Sequence, residues 1–120
     1  MEEITEEKVL ELEELAVTAR ELLMTTLLEA GSGHSAGPLG MADIFTAFYF
    51  YLLNHDPKNP EWEDRDRLIL SNGHICPIRY VSMAQAGYFP IEELKTLRKI
   101  TKCTVLLQTE ITKKEIHGKL

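Results

Sequence analysis

The segment GSGHSAGPLG, residues 31–40, lies between two helix-like stretches and limits how the first half of the chain can fold. Leucine and alanine recur at helical spacing before it, and Thr5 is placed to cap that first helix. Gly31 is a natural stop for the helix. Pro38 suits the first turn of a second helix, which we expect to end near Leu53. Two helices are therefore predicted to meet at a glycine-rich connection.

The second half of the chain combines one strand-like run with two further helical patterns. Residues 67–71, RLILS, are short, branched and apolar enough for a buried strand, and Asn72 begins the turn that follows. Pro77 then opens a third helix that we expect to end at Gly87, and the fourth begins after Pro90. Helices alternating with a strand indicate an α/β unit with a parallel sheet, of which the sequence supplies one convincing strand.

Charge is concentrated at the start of the chain. The 120 residues have a formal charge of −6, and residues 1–14 alone hold seven acids and one lysine. The neutral remainder offers no electrostatic reason to bind nucleic acid or an anionic membrane. No basic region leads into an apolar run at the start, so the expected location is cytoplasmic. The apolar residues 44–53 are about half as long as a bilayer span.

The second predicted helix is apolar on almost every face. Four aromatic side chains follow one another in it, at positions 48–51. A surface helix of a compact domain has a polar face, so this pattern predicts cover from more protein than the chain itself supplies.

Two histidines lie where α/β proteins build ligand sites. His34 precedes a helix in the glycine-rich loop, where the amides of residues 35–40 could approach a phosphate, and His74 follows the predicted strand. An imidazole can also donate or accept a hydrogen bond. Taken singly, each segment could equally be a plain turn. His55 and His117 have no such context and are expected at the surface, and the four histidines lack the spacing of zinc ligands.

Three segments in unbroken order resemble one enzyme family. SGHSAGPLGMADIF, LNHDPKNPEWEDRDRLILSNGH and AGYFPIEELKTLRKI are similar to the N-terminal, thiamine diphosphate-binding part of transketolase. The resemblance is closest to the form that is split into two subunits in many bacteria and archaea, and it covers roughly residues 10–100. It implies an α/β fold class: the incomplete N-terminal part of a Rossmann-like domain with a parallel sheet, mostly helical in this fragment.

The resemblance also implies an activity and two site residues. The family transfers a two-carbon ketol unit between sugar phosphates with thiamine diphosphate and Mg²⁺, and the cofactor supplies the carbon chemistry. By this likeness, His34 is the catalytic candidate that contacts substrate hydroxyls, and His74 binds the diphosphate. The implied partners are sugar phosphates, a C-terminal transketolase subunit and further copies of the chain. A relative of 1-deoxyxylulose-5-phosphate synthase is an alternative, although DPKNPEWEDRDR and PLG favour transketolase.

The sequence departs from the family after Ile100. The family continues into an LQGHP-type motif and then Gly-Asp-Gly, whose aspartate helps to hold the metal, whereas this chain reads TKCTVLLQTEITKKEIHGKL. We therefore predict residues 1–100 as the N-terminal part of the diphosphate-binding domain, residues 101–120 as a divergent tail, no metal ligands, and no activity for the chain alone. A frameshift or premature stop, an artificial boundary and a short helical module that binds a partner without catalysis all remain open.

Overall fold

A computed structural model of the chain describes residues 3–97, which form a group of packed helices. We number the α-helices in chain order: α1 is Glu6–Ala30, α2 is Ala36–Gly40, α3 is Ala42–Ala47 and α4 is Cys76–Ala86. A π-helical turn, Phe48–Leu52, continues α3, and two 3-10 segments, Gly73–Ile75 and Ile91–Thr96, flank α4.

Helix α1 begins and ends where the sequence predicts. The Thr5 hydroxyl accepts a hydrogen bond from the Lys8 amide at 3.2 Å, and Gly31 ends the helix in the left-handed region at φ 70°. One face of α1 is buried against α3 and α4. That face consists of small and branched residues: Ala16, Ala19, Leu23, Thr26 and Leu27.

The second predicted helix is broken into three parts. Helix α2 already begins at Ala36, and Met41, at φ −96° and ψ 0°, separates it from α3. In the π-helical turn the Leu53 amide donates to the Phe48 carbonyl, one residue further back than in an α-helix. The wider turn accommodates the aromatic run, with Tyr49 buried and its neighbours half-buried. Periodicity alone gives no signal for such a break.

An exposed ion pair joins α1 to α3. The Arg20 guanidinium donates two hydrogen bonds to the Asp43 carboxylate, at 3.1 and 2.8 Å. The hydrogen bond from Arg20 is the main cause that lowers the pKa of Asp43; partial burial opposes it less strongly, and the charge of Arg20 lowers the pKa by a still smaller amount. Both side chains remain accessible to water, so the pair contributes little to stability.

The proline-punctuated loop after α3 is closed by hydrogen bonds at its base. The Asn54 amide donates to the Asp66 carboxylate and the Asp66 amide donates to the Asn54 carbonyl, both at 2.8 Å. Within the loop, the buried Arg65 donates to the Trp62 carbonyl at 2.8 Å. These bonds close the loop at its base and add a contact within it, as is common in compact surface loops.

The prediction that His55 lies at the surface is wrong. Its ring is half-buried between two tyrosines: Nε2 lies 2.7 Å from the Tyr49 carbonyl and Nδ1 lies 2.5 Å from the Tyr88 hydroxyl. Because a carbonyl can only accept, Nε2 carries the hydrogen, and in the neutral ring Nδ1 accepts from Tyr88. Hydrogen bonds to two polar partners offset the cost of burying the ring. The sequence around LNHDP does not reveal these partners. His117 lies outside the described residues.

The predicted strand is not part of a sheet among the described residues. Residues 67–71 have no regular secondary structure, and the structure assigns no strand within residues 3–97. A strand requires a neighbour for its ladder of hydrogen bonds, and no described segment pairs with this one. Instead, the buried Arg79 of α4 donates to the Leu68 carbonyl at 2.9 Å. The mostly helical character is observed, whereas the sheet is not.

The core lies between α1, α3 and α4. Ile78, Val81 and Met83 of α4 are completely buried, and Leu94 and Leu97 close the end of the core. The predicted fourth helix is a 3-10 segment in its described part, while residues 98–100 fall outside. No helix in the described part combines the length and the apolar character needed to cross a membrane.

Candidate functional site

The two predicted site histidines, forty positions apart in the chain, meet in the structure. The rings of His34 and His74 touch edge to face, with 4.7 Å between their centroids and 68° between their planes. Both residues are exposed. The connection after α1 and the 3-10 turn before α4 therefore present two imidazoles to the same open surface.

Gly33 sets the path of the connection that carries His34. Its φ of 131° is rarely adopted by other residues, and a β-carbon here would lie 2.6 Å from Cδ2 of Leu27. The chain thus passes directly over the buried side chain of Leu27, near the end of α1, before it reaches His34.

A second close approach brings α2 against the turn that carries His74. A β-carbon on Gly37 would lie only 3.1 Å from Cγ2 of Ile75, whose side chain is buried. The small residue therefore permits α2 to pack tightly on the segment Gly73–Ile75. This packing holds the two histidine loops together. Gly37 belongs to the glycine-rich segment of residues 31–40.

Asn72 fixes the orientation of His74. The Asn72 side-chain oxygen accepts from the His74 amide at 3.2 Å and lies 3.1 Å from His74 Nδ1. Because this oxygen can only accept, Nδ1 carries a hydrogen, and in the neutral ring Nε2 is left as the acceptor for a ligand. From the sequence, Asn72 is predicted only to begin a turn. Its position two residues before the histidine is the spacing of an Asx turn and was the available signal.

Two open clefts flank the histidine pair. The first, of about 420 Å³, is lined by both histidines and by small residues of both loops: Gly33, Ser35, Ala36, Gly37, Asn72 and Ile75. The second, of about 500 Å³, shares both histidines and is lined further by Gly73, Cys76, Pro77, Tyr80 and Leu97. Each is of the size that proteins use for small ligands.

The donors of the first cleft suit an anion only in part. The first-turn amides of Ala36 and Gly37 have no acceptor within their own helix. The expected donor range of residues 35–40 is too wide, because Pro38 has no N–H and the Leu39 amide donates to the Ser35 carbonyl. Among the described residues that line either cleft, none is a lysine or arginine. A phosphate here would rely on amides and imidazoles.

A metal site is not found in the part of the chain that the structure describes. Within residues 3–97, no three histidine, cysteine, aspartate or glutamate side chains are close enough to hold a metal ion. A Mg²⁺ ion beside either cleft would need oxygen ligands from outside the described residues.

Comparison with known proteins identifies a family match over most of the chain. The family model described as "Transketolase, thiamine diphosphate binding domain" matches residues 12–113. This range includes α1 from residue 12 onward, all of α2 to α4, both histidine loops and the residues between them.

Individual relatives agree with the family match. The protein "6-deoxy-6-sulfo-D-fructose transketolase subunit SqwG" of Clostridium sp. (strain MSTE9) is 42% identical over 93 residues, which is 78% of this chain and 34% of the relative. "Transketolase 1" of Escherichia coli (strain K12) is 46% identical over 88 residues, 72% of this chain and 13% of the relative. "Transketolase" of Buchnera aphidicola is 46% identical over 92 residues, 76% of this chain and 14% of the relative. The chain thus spans about a third of the first relative and about an eighth of the other two.

Proposed function

Because the chain belongs to the transketolase thiamine diphosphate-binding domain family, we propose that it forms part of the diphosphate-binding half of a transketolase. The reaction would be transfer of a two-carbon ketol unit between sugar phosphates. The observation that carries the proposal is the meeting of His34 and His74 beside a cleft lined by glycines. Thiamine diphosphate, when bound, supplies the carbanion chemistry of such a transfer.

The two histidines take different roles in this proposal. His74 contacts the diphosphate, with Nδ1 held by Asn72 so that the ring cannot turn away from its ligand. His34 contacts substrate hydroxyls, where an imidazole can donate or accept a hydrogen bond as charge develops. The edge-to-face contact between the rings supports these roles, because it places a cofactor-facing and a substrate-facing group side by side.

The site would be completed by the rest of the domain and by partner chains. We place residues 1–100 in the diphosphate-binding domain and treat residues 101–120 as a divergent tail, although the family match continues to residue 113. Residues 67–71 would become one strand of a parallel, Rossmann-like sheet once neighbouring strands are supplied. The proposed partners are a C-terminal transketolase subunit and a second copy of the chain. One relative is itself named a transketolase subunit, which supports the split arrangement.

The chain alone is expected to bind thiamine diphosphate weakly and to lack activity. The described residues offer no metal site, and both clefts lack a lysine or arginine among their described lining residues. A diphosphate carries several negative charges, and Mg²⁺ normally neutralises part of them through oxygen ligands. Two imidazoles and a few amides replace only part of that stabilisation.

Proton NMR of the histidine rings tests the proposal on the chain as it exists. The His34→Gln and His74→Gln variants assign the C2-proton signals of the pair. Titration with thiamine diphosphate is expected to shift the His34 and His74 signals and to leave that of His55 in place, because His55 is bonded within the fold. Thiamine without its diphosphate is the matched control ligand and is expected to leave the His74 signal unchanged.

Two outcomes would contradict the proposal. One is a titration in which none of the ring signals moves up to millimolar ligand. The other is equal affinity for thiamine diphosphate in the wild-type chain and in His74→Gln. Assay of ketol transfer by the purified chain completes the test, and robust turnover without a second subunit would disprove the predicted inactivity.

A further inference from the structure

Helix α1 carries a second apolar face that the described fold leaves uncovered. Leu10, Val17, Met24 and Leu28 recur at steps of seven, seven and four residues, and we call them the outer stripe. Their exposed fractions are 60, 56, 47 and 82%. At about 100° per residue, the outer stripe lies about 140° around the helix from the buried face. An apolar row along the full length of a helix indicates a surface that is covered by another segment.

Acidic side chains border the outer stripe on both sides. Glu6, Glu13, Glu14 and Glu21 are exposed and project within one helical step of it. Arg20 is also near, but its guanidinium is bound to Asp43. The surface therefore combines leucine-sized apolar contacts with negative borders, and its occupant should combine apolar residues with lysine or arginine.

A second copy of the same helix is a poor occupant. Pairing two outer stripes would bring the acidic borders of both copies together, and like charges across an interface oppose association. The occupant should instead be basic where α1 is acidic.

We propose that the outer stripe of α1 binds residues 98–120 of the same chain. That segment has six basic residues and two acids, whereas residues 1–14 have seven acids and one lysine. It also contains the apolar residues Val105, Leu106, Leu107, Ile111 and Ile116, with Lys113 and Lys114 between the last two. Its positive charge is complementary to the acidic borders of the outer stripe, and its apolar residues could pack against the stripe itself.

The connection has the required reach. The described chain ends at the buried Leu97, directly after the segment Ile91–Thr96, which packs against α1. Twenty-three residues follow Leu97 and can span up to about 75 Å when extended, whereas α1 is about 37 Å long. The segment thus begins beside α1 and is long enough to follow it, and attachment in the same chain raises its effective concentration.

Zero-length carbodiimide cross-linking of the full-length chain tests this binding. A mixture of unlabelled and ¹⁵N-labelled protein separates links within a chain from links between chains. We expect links within one chain that join Lys113 or Lys114 to Glu13, Glu14 or Glu21. Links of mixed isotope composition, or links that favour the loop glutamates Glu61 and Glu63 over the border of the stripe, would overturn the proposal.

Charge-matched variants test whether apolar contact is required. The double variant Leu106→Asp/Leu107→Asp is expected to lose these cross-links and to raise the fluorescence of the dye ANS as the outer stripe is uncovered. The control Thr109→Asp/Thr112→Asp changes the charge equally and is expected to retain the links. Equal loss in both variants would reduce the interaction to charge attraction and would overturn the proposed docking.

A second pair of variants tests the stripe itself. Val17→Gln is expected to weaken the cross-links, whereas Thr18→Gln, at the next exposed position, is expected to leave them intact. Circular dichroism confirms that each variant remains helical. If Val17→Gln and Thr18→Gln give the same yields, the segment does not lie on the outer stripe.

Discussion

Gly33 passes over Leu27 so closely that a β-carbon at position 33 would lie 2.6 Å from Leu27 Cδ2. This close approach places the loop that carries His34 directly against the buried side chain of Leu27 in α1. Leu27 is itself part of the core, so it can move away only at the cost of its own packing. The position of His34 therefore depends on a residue without a side chain.

Substitution of Gly33 tests this dependence. Gly33→Ala must accommodate both the contact with Leu27 and the φ of 131°, so we expect it to lower the free energy of unfolding by about 1–3 kcal/mol. Gly40→Ala is the matched control, because a β-carbon there meets nothing within 4 Å. We expect the control to be neutral or to stabilise the chain by about 0.5 kcal/mol in urea unfolding. Equal costs for both variants would contradict the account of Gly33.

Removal of the Asn72 side chain should release the ring of His74. Asn72→Ala deletes the oxygen that accepts from the His74 amide and lies beside Nδ1, at an expected cost of about 1 kcal/mol in unfolding free energy. The ring should then sample several orientations, seen as averaged NOEs between the His34 and His74 rings. Ser71→Ala, at the preceding exposed position, serves as the control and should leave the NOE pattern unchanged. A fixed ring in Asn72→Ala would show that other contacts hold His74.

His55 should matter for stability rather than for ligand binding. His55→Ala loses bonds to the Tyr49 carbonyl and the Tyr88 hydroxyl, and we expect a loss of about 2 kcal/mol from two hydrogen bonds. Tyr88→Phe removes one of these bonds and should cost about 1 kcal/mol, with less than additive loss in the double variant. The exposed His34→Ala is the comparison and should change stability by less than about 0.5 kcal/mol. A His55→Ala variant as stable as His34→Ala would refute the structural role.

The Arg20–Asp43 pair predicts a small dependence of stability on pH. Bonding to Arg20 lowers the pKa of Asp43 in the folded chain. The contribution is therefore fully present above the unfolded value of about 4 and is lost as the pH falls through the lower folded value. Because the pair is exposed, Asp43→Asn should cost only a few tenths of a kcal/mol at neutral pH. Urea midpoints should converge with those of the wild type in acid, whereas a difference that persists there would exclude the charge interaction as its cause.

Local chemistry explains which parts of the fold could be predicted from the sequence. Thr5, Gly31 and Gly87 mark helix ends through interactions within a few residues, and all three act as predicted. The break at Met41 and the π-helical turn after it lie in a segment that packs against α4. Tertiary packing of this kind leaves no periodic signal in the sequence.

The candidate site likewise has features that could be predicted from the sequence and features that could not. His34 and His74 could be selected from their glycine-rich contexts, and the structure brings them together. Of the details that hold them, Gly37 against Ile75 is a contact across the chain, whereas the oxygen of Asn72 beside the His74 ring is a local contact two residues away. The role of His55 was missed because its partners, Tyr49 and Tyr88, are six and thirty-three residues away.

The bond from Arg79 to the Leu68 carbonyl has a consequence for the order of assembly. Arg79 belongs to a helix with its own buried face, and its guanidinium holds the Leu68 carbonyl although no strand is assigned within residues 3–97. In the domain that we propose, the helical layer would therefore position residues 67–71 before any ladder of backbone bonds forms. A sheet would then add to a segment that is already anchored to α4.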